Sequence, residues 1–333
     1  LENQSTGFSG CKRSPTQTLP EREGLKKAAK DQLKAKLIKL NMTGNMKTSQ
    51  TTTSSPDTHG AGEVSSFHPS FGGVGGGLIE VQVDGPVLRI TLNRPERHNT
   101  IVPGLLQELH SVLDEVALMD ELLFVVLSGN GKSFCAGADL HWFSGAEERT
   151  LKQNADQYKQ LADVLLQWFR LPQITIAAVR GNVFGGGLGL MGVCDFVLAE
   201  SNARFMFSEV KLGLLPATIL PFVSKRLSLQ YLRKWILTGS LFTAHEAAQA
   251  GLVDLVCETS ELDSAMKNFL ASFDSASPTA VKNAKQLINK VVAGDVDVED
   301  TTYTSTVLAK ALLSPDGQEG IHAFLEKRSP KWK

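Results

Sequence analysis

The chain has 333 residues, 42% of them apolar, and its 34 Lys and Arg nearly balance 35 Asp and Glu for a formal net charge of -1. That length holds one large domain or two small ones, and the apolar share is ordinary for a globular core. The near-zero charge excludes a polybasic protein drawn to nucleic acid or anionic membrane by charge alone, and no apolar run reaches the roughly 18 residues of a membrane span. Four cysteines (Cys11, Cys135, Cys194, Cys257) are far apart and form no CxxC pair. They read as reduced thiols of an intracellular protein, with Cys194 a buried apolar residue, so neither a disulfide nor a metal site is expected. No apolar stretch near the first residue reads as a secretory signal, and cytosol and mitochondrion both stay open.

Residues 1–77 are rich in Ser, Thr, Gly, Lys and Gln and poor in aromatics, the composition of a linker or disordered extension. Within them 19–40 is a charged run of helix formers with Leu33, Leu37 and Leu40 on one stripe, read as a solvated or linker helix. Phe71-Gly-Gly-Val-Gly-Gly-Gly-Leu78 leads into a strand and lacks the Lys-Ser/Thr ending of a phosphate loop, so it reads as a flexible linker. From Leu78 the pattern sharpens. Leu78–Val83 and Val87–Leu92 alternate around Asp84-Gly85, a hairpin signal, and Asn93–His98 is a loop. Val102–Met119 is an amphipathic helix with apolar residues at 105, 106, 109, 112, 113 and 116. A strand over Leu122–Leu127, a helix through Thr150–Leu171, and strands at Ile174–Val179 and Phe196–Ala199 follow. Strand–helix alternation predicts an α/β fold with a parallel sheet wrapped by helices. Beyond about residue 225 the pattern is mostly helical. The expected organisation is an extension over 1–77, an α/β core over 78–275 and a C-terminal helical region over 276–333.

Two glycine-centred stretches stand out, Ser133-Phe-Cys-Ala-Gly-Ala-Asp-Leu140 and Gly181-Asn-Val-Phe-Gly-Gly-Gly-Leu-Gly-Leu190. Each follows an apolar, β-branched run and reads as a turn at the end of a buried strand. Small residues there let backbone N–H groups approach a ligand. Two N–H groups converging on one carbonyl oxygen form an oxyanion hole, which points to chemistry on an acyl group.

These stretches, with Ile90-Thr-Leu-Asn-Arg-Pro-Glu-Arg-His-Asn99, Cys194-Asp195, Ser208-Glu-Val-Lys-Leu-Gly-Leu-Leu-Pro216 and Phe324-Leu-Glu-Lys-Arg328, resemble the crotonase (enoyl-CoA hydratase/isomerase) family in one ordered series from 78 to 333. The resemblance implies a repeated ββα spiral with a helical C-terminal trimerisation region, assembled as trimers or hexamers. The substrate would be an acyl thioester of coenzyme A or of an acyl carrier protein, with no separate cofactor. It places the oxyanion-hole N–H groups at Ala138 and Gly186. Ala136, Gly137, Ala138, Asp139, Leu140, Arg97 and His98 would meet the coenzyme, and Gly185, Gly186 and Gly189 would line the acyl site. Phe324 or Lys327 would reach a neighbouring subunit's coenzyme. Neither nucleic acid nor membrane is an expected partner.

The acid/base groups discriminate among reactions. Hydratases of the family commonly use two glutamates about twenty residues apart. The second aligns with Glu209, but Gly189 occupies the place of the first. A glutamate in an apolar pocket has a raised pKa, which suits proton transfer near neutral pH. The reading is therefore a hydratase-like lyase of a 2-enoyl thioester, with a single glutamate. Glu209–Phe222 is similar to hydratases of branched glutaconyl thioesters, so a substrate carboxylate could help hold the water. A 3-enoyl to 2-enoyl isomerase, a polyketide β-branching dehydratase or decarboxylase, and a catalytically silent binding protein stay open. His141 reads as a residue of the pocket rim, Trp142 and Phe143 as pocket wall or core, and Lys211 as a solvated surface lysine.

Overall fold

A computed structural model describes residues 77–332; the expected helix at 19–40 and the glycine-rich run before Gly77 lie outside the described residues. Two sheets form the core. The larger has six strands in the order β1 (Ile79–Asp84), β2 (Val87–Leu92), β3 (Phe124–Gly129), β5 (Ile174–Val179), β7 (Phe196–Glu200), β10 (Leu255–Cys257). Only the β1–β2 pair is antiparallel. The smaller has four short strands, β4 (Ser133–Cys135), β6 (Asn182–Phe184), β8 (Arg204–Met206) and β9 (Phe242–Thr243), with β4, β6 and β8 parallel. The chain crosses repeatedly from a long strand in the first sheet to a short one in the second, giving the expected crotonase spiral.

The helices are α1 (Pro103–Val116), α2 (Leu140–Phe143), α3 (Leu151–Phe169), α4 (Gly186–Gly192), α5 (Leu220–Val223), α6 (Leu229–Thr238), α7 (Ala244–Gln249), α8 (Leu262–Ala271), α9 (Pro278–Ala293), α10 (Thr301–Leu312) and α11 (Pro315–Leu325). In α1 the six positions expected to face the core, 105, 106, 109, 112, 113 and 116, are all buried. Its ends move inward from Val102–Met119. Pro103 starts it, because a proline at the first position gives up a donor the helix does not use. Thr150 opens α3 through a capping box with Gln153, and Leu161, Val164, Leu165 and Trp168 form its buried stripe.

Several expected boundaries are corrected. The hairpin turn is Gly85-Pro86 and not Asp84-Gly85, because Asp84 still pairs with Val87 while Pro86 has no N–H to offer the ladder. The third strand is Phe124–Gly129 and not Leu122–Leu127. Most consequential for the site, the glycine turns do not end the long strands. A short strand of the second sheet, β4 or β6, intervenes each time. Since β4, β6 and β8 run parallel, their C-terminal ends lie along one edge of the small sheet. An aromatic stack braces that sheet, with Trp235 3.8 Å from Phe242 at 6° and Phe205 5.5 Å from Phe242.

The C-terminal helix α9 is tied to the large sheet by one buried cation. Lys285 Nζ lies 2.6 Å from Asp195 Oδ2 and donates to the Gln173 carbonyl at 2.6 Å. Asp195 Oδ2 also accepts from the Thr175 N–H at 2.7 Å and from its hydroxyl at 2.9 Å. Among the described residues, no helix is long and apolar enough to cross a membrane.

Candidate active site

The three parallel strand ends supply the site. Beyond β4 comes Ala136–Asp139, beyond β6 comes Gly185 leading into α4, and beyond β8 comes Ser208–Glu209. The first turn is held by the loop that precedes α1. The Ile101 N–H donates to the Gly137 carbonyl at 2.8 Å, and the Asp139 N–H donates to the Ile101 carbonyl at 2.9 Å. These two bonds make a parallel bridge between Ile101 and Ala138. In such a bridge the middle residue's own N–H points to the opposite side. The Ala138 N–H is therefore turned away from Ile101.

The second turn comes close to the first. A Cβ built on Gly137 would stand 2.9 Å from the Phe184 carbonyl oxygen and 3.5 Å from the Gly186 nitrogen. A Cβ on Gly186 would stand 3.0 Å from Ile101 Cδ1 and 3.9 Å from the Ala138 nitrogen. Gly137 has φ 93°, and Gly185 has φ 47° and ψ -122°, conformations that a side chain would strain. The sequence thus uses glycine where two backbones approach within side-chain thickness, and the Ala138 and Gly186 nitrogens lie close to that approach.

Glu209 packs against the second turn. A Cβ on Gly185 would lie 3.3 Å from Glu209 Oε1 and 3.2 Å from Ser208 Oγ. Glu209 Oε2 is buried with no hydrogen-bond partner among the described residues. Burial pushes this carboxyl above its ordinary value, and a hydrogen bond from its own backbone opposes the shift only in part. Gly189, one turn along α4, does not open into free space. Its Cβ direction is filled by Ile219 Cγ2 at 2.3 Å, with Leu165 Cδ1 at 3.3 Å.

A polar clamp fixes the first turn from outside. Arg94 Nη1 donates to Asp139 Oδ2 at 2.9 Å and to Thr100 Oγ1 at 2.9 Å. Asp139 Oδ1 accepts from the His141 N–H at 3.1 Å, capping α2. Partial burial works against ionisation of Asp139, but the Arg94 and His141 donors outweigh it and hold its carboxyl at about 2. Asn99, fully buried, receives the Arg94 N–H on Oδ1 at 2.8 Å and donates from Nδ2 to the carbonyls of Ser133 at 2.8 Å and Asn130 at 2.9 Å. Arg94, Asn99 and Ile219 received no role from the sequence. An asparagine inside a polar loop, where its side chain can bond backbone groups, was the available signal for the second.

The expected coenzyme-contacting residues are brought together. The Ala136 N–H donates to the His98 carbonyl at 3.0 Å, and His98 Nδ1 lies 3.2 Å from Ser133 Oγ. Arg97 and Leu140 are exposed beside them. The His141 side chain is 89% exposed and bonds Asp139, as a rim residue would. Trp142 is buried, stacking with Phe143 and meeting Tyr158 edge-on at 5.6 Å, so this pair belongs to the core side of α2. Lys211 lays its stem on Gly239 and its ammonium 3.7 Å from Met206 Sδ. Phe324 is exposed on α11. Cys135 and Cys194 are buried free thiols, pushed up to about 12 by burial.

The arrangement is that of two glycine turns in close approach, with a buried carboxyl against the second. Residues 82–333 match the sequence model of the enoyl-CoA hydratase/isomerase family. The chain is 32% identical over 256 residues to the short-chain-enoyl-CoA hydratase of Clostridium acetobutylicum, covering 75% of this chain and 95% of that one. It is 34% identical over 255 residues to the 2,3-dehydroadipyl-CoA hydratase of Escherichia coli, covering 74% and 95%. A crystal structure of an enoyl-CoA hydratase from Shewanella pealeana superposes with a TM-score of 0.72 at 33% identity, covering 77% of this chain and 96% of that one. The chain belongs to the enoyl-CoA hydratase/isomerase, or crotonase, family of enzymes.

Proposed function

We propose that this enzyme adds water to, or removes it from, a 2-enoyl-coenzyme A thioester, with Glu209 as its one acid/base. The observation that carries this reading is the Glu209 carboxyl against Gly185, the residue before Gly186, with Oε2 buried and without a hydrogen-bond partner among the described residues. In the forward direction a water oxygen bonds to C3. The C2=C3 π pair shifts through C2 onto the thioester oxygen, and Glu209 takes a proton from the water. The two N–H groups receive the enolate charge; one such donor is worth about 3 kcal/mol. The enolate then collapses, and Glu209 returns a proton to C2. The thioester is the substrate, and no step requires a separate cofactor or metal. The raised pKa of Glu209 suits both halves of this exchange.

The acyl chain of the proposed substrate carries its own carboxylate, of glutaconyl type. The E. coli relative is named for 2,3-dehydroadipyl-CoA, whose acyl group likewise derives from a dicarboxylic acid. Arg97, His98 and Ala136–Leu140 would receive the coenzyme. Assembly as a trimer or hexamer would cover apolar residues left exposed on α10 and α11, among them Leu308, Leu312, Phe324 and Leu325; light scattering of the purified enzyme gives the mass.

The lone carboxyl favours one other reading, a 3-enoyl to 2-enoyl isomerase, since one base can move one proton. Product analysis by mass spectrometry on a small thioester panel separates the two: hydration adds the mass of one water, isomerisation adds none. Coenzyme A and carrier-protein thioesters of the same acyl group, run side by side, identify the carrier. No turnover of any enoyl thioester would overturn the reading in favour of a binding role.

A further inference from the structure

Glu209 meets the chain at Gly185, the residue before α4 begins, and Gly189 lies one turn further along. Glu209 stands over Gly185. Over Gly189 stands Ile219, whose Cγ2 and Cβ lie 2.3 Å and 2.9 Å from the position of a Cβ, with Leu165 Cδ1 at 3.3 Å. A further glycine, Gly192, receives Val223 in the same way, at 2.8 Å. Ile219 and Leu165 are almost fully buried, at 1% and 0% exposure. One turn along the chain from the place where Glu209 meets it, the available volume is hydrocarbon.

We propose that Ile219 is a specificity-determining residue. By filling the space over Gly189 it limits the protein to one acid/base carboxyl, and so restricts efficient hydration to enoyl thioesters that bring a second acceptor on the acyl chain. The inference rests on the hydration reading above. A water in a closed site is held by about three hydrogen bonds, and at least two are needed to aim its lone pair. Glu209 accepts one O–H. Ile219 and Leu165 accept none. A carboxylate on the acyl chain accepts the other O–H and emerges unchanged, while the attacking oxygen, the π pair and the transferred proton move as described. An uncharged acyl chain leaves the water with one anchor.

Close packing of α5 on α4 would by itself also place Ile219 over a glycine, and it makes a different forecast. Hydration of crotonyl-CoA and of glutaconyl-CoA is compared in the wild-type enzyme, Gly189→Glu, Ile219→Gly and the double variant, with circular dichroism and thermal unfolding of each. The wild type is expected to favour glutaconyl-CoA in kcat/KM by about tenfold or more, the order of one hydrogen bond. Gly189→Glu alone loses stability against Ile219. The double variant folds, and its kcat/KM for crotonyl-CoA rises about tenfold, narrowing the preference. Should the double variant not fold, Ile219→Glu delivers a carboxyl to the same volume from the other side and is read the same way. Should neither fold, the wild-type ratio decides. Crotonyl-CoA turnover by the wild type as fast as glutaconyl-CoA, or a folded carboxyl-bearing variant with an unchanged preference, overturns the role of Ile219 while Glu209-dependent hydration stands. Absence of hydration on both substrates in the wild type overturns the parent reading and this one with it.

Discussion

Replacing Arg94 by Ala removes the cation that holds Asp139 and, through the adjoining peptide, the Ala138 N–H. The wild-type contacts are 2.9 Å to Asp139 Oδ2 and 2.9 Å to Thr100 Oγ1, between side chains 20% and 14% exposed in the Arg–Asp pair. A carboxyl held at about 2 against an ordinary 3.8 corresponds to about 2 kcal/mol before screening, supplied by the Arg94 and His141 donors together. The Arg94 share, reduced by solvent at this partly open pair, is about 1 kcal/mol. In an enzyme of this size that is a fall of about 2–4 °C in Tm. The folded pKa is depressed, so the contribution is fully present above 3.8 and is lost as pH falls through about 2. The Tm gap between wild type and variant is therefore constant near neutrality and closes in acid. Because the freed turn carries Ala138, kcat should fall about tenfold with a smaller change in KM, and Arg94→Lys should recover part of it. Thermal melts at neutral and acid pH, with steady-state kinetics on the preferred thioester, measure both. A Tm gap that persists in acid refutes the ion-pair account. An unchanged kcat with a lowered Tm refutes the positioning of Ala138.

Three other outcomes follow from the same geometry. Lys285→Ala strands Asp195 beneath α9 and should cost about 3–5 kcal/mol in a denaturant titration; the acidic limb of the rate profile should not move. Gly187→Ala drives a Cβ to 2.4 Å from the Cys135 carbonyl oxygen. It should cost about 1–3 kcal/mol by overpacking and depress kcat, because β4 leads into the turn with the Ala138 N–H and α4 begins with the Gly186 N–H; a variant as active and stable as wild type would contradict the close approach. Glu209 must be ionised to take a proton from water, and burial raises its pKa. The rate should therefore fall with decreasing pH along a limb centred above the usual glutamate value, as kcat/KM against pH will show.

The sequence made the apolar geometry legible wherever an element is long enough to show its period. In α1 six buried positions repeat at helical spacing, and β2 and β5 show their full runs. The second sheet was not legible, because three-residue strands such as Ser133–Cys135 and Asn182–Phe184 carry no measurable alternation. For the site, the glycine turns could be singled out because close backbone approach demands that residue type, and Glu209 through the family resemblance that aligns it with a catalytic glutamate. Arg94 and Asn99 act through partners 31 to 45 residues away in sequence, which one sequence does not reveal. Ile219 is more opaque still. An isoleucine reads as core in any α/β protein, and only its contact with Gly189 shows that it fills the space a side chain at 189 would take.

The central claim, that one buried carboxyl beside two backbone donors hydrates an enoyl thioester, is tested most directly by Glu209→Gln. The preferred 2-enoyl-CoA is incubated with wild type and variant in isotopically labelled water, and the product is weighed. The account predicts a 3-hydroxyacyl product carrying one labelled oxygen in the wild type, and a loss of rate of about 100-fold or more in a variant that keeps its fold and its KM. Labelled product formed at the wild-type rate by Glu209→Gln would contradict it.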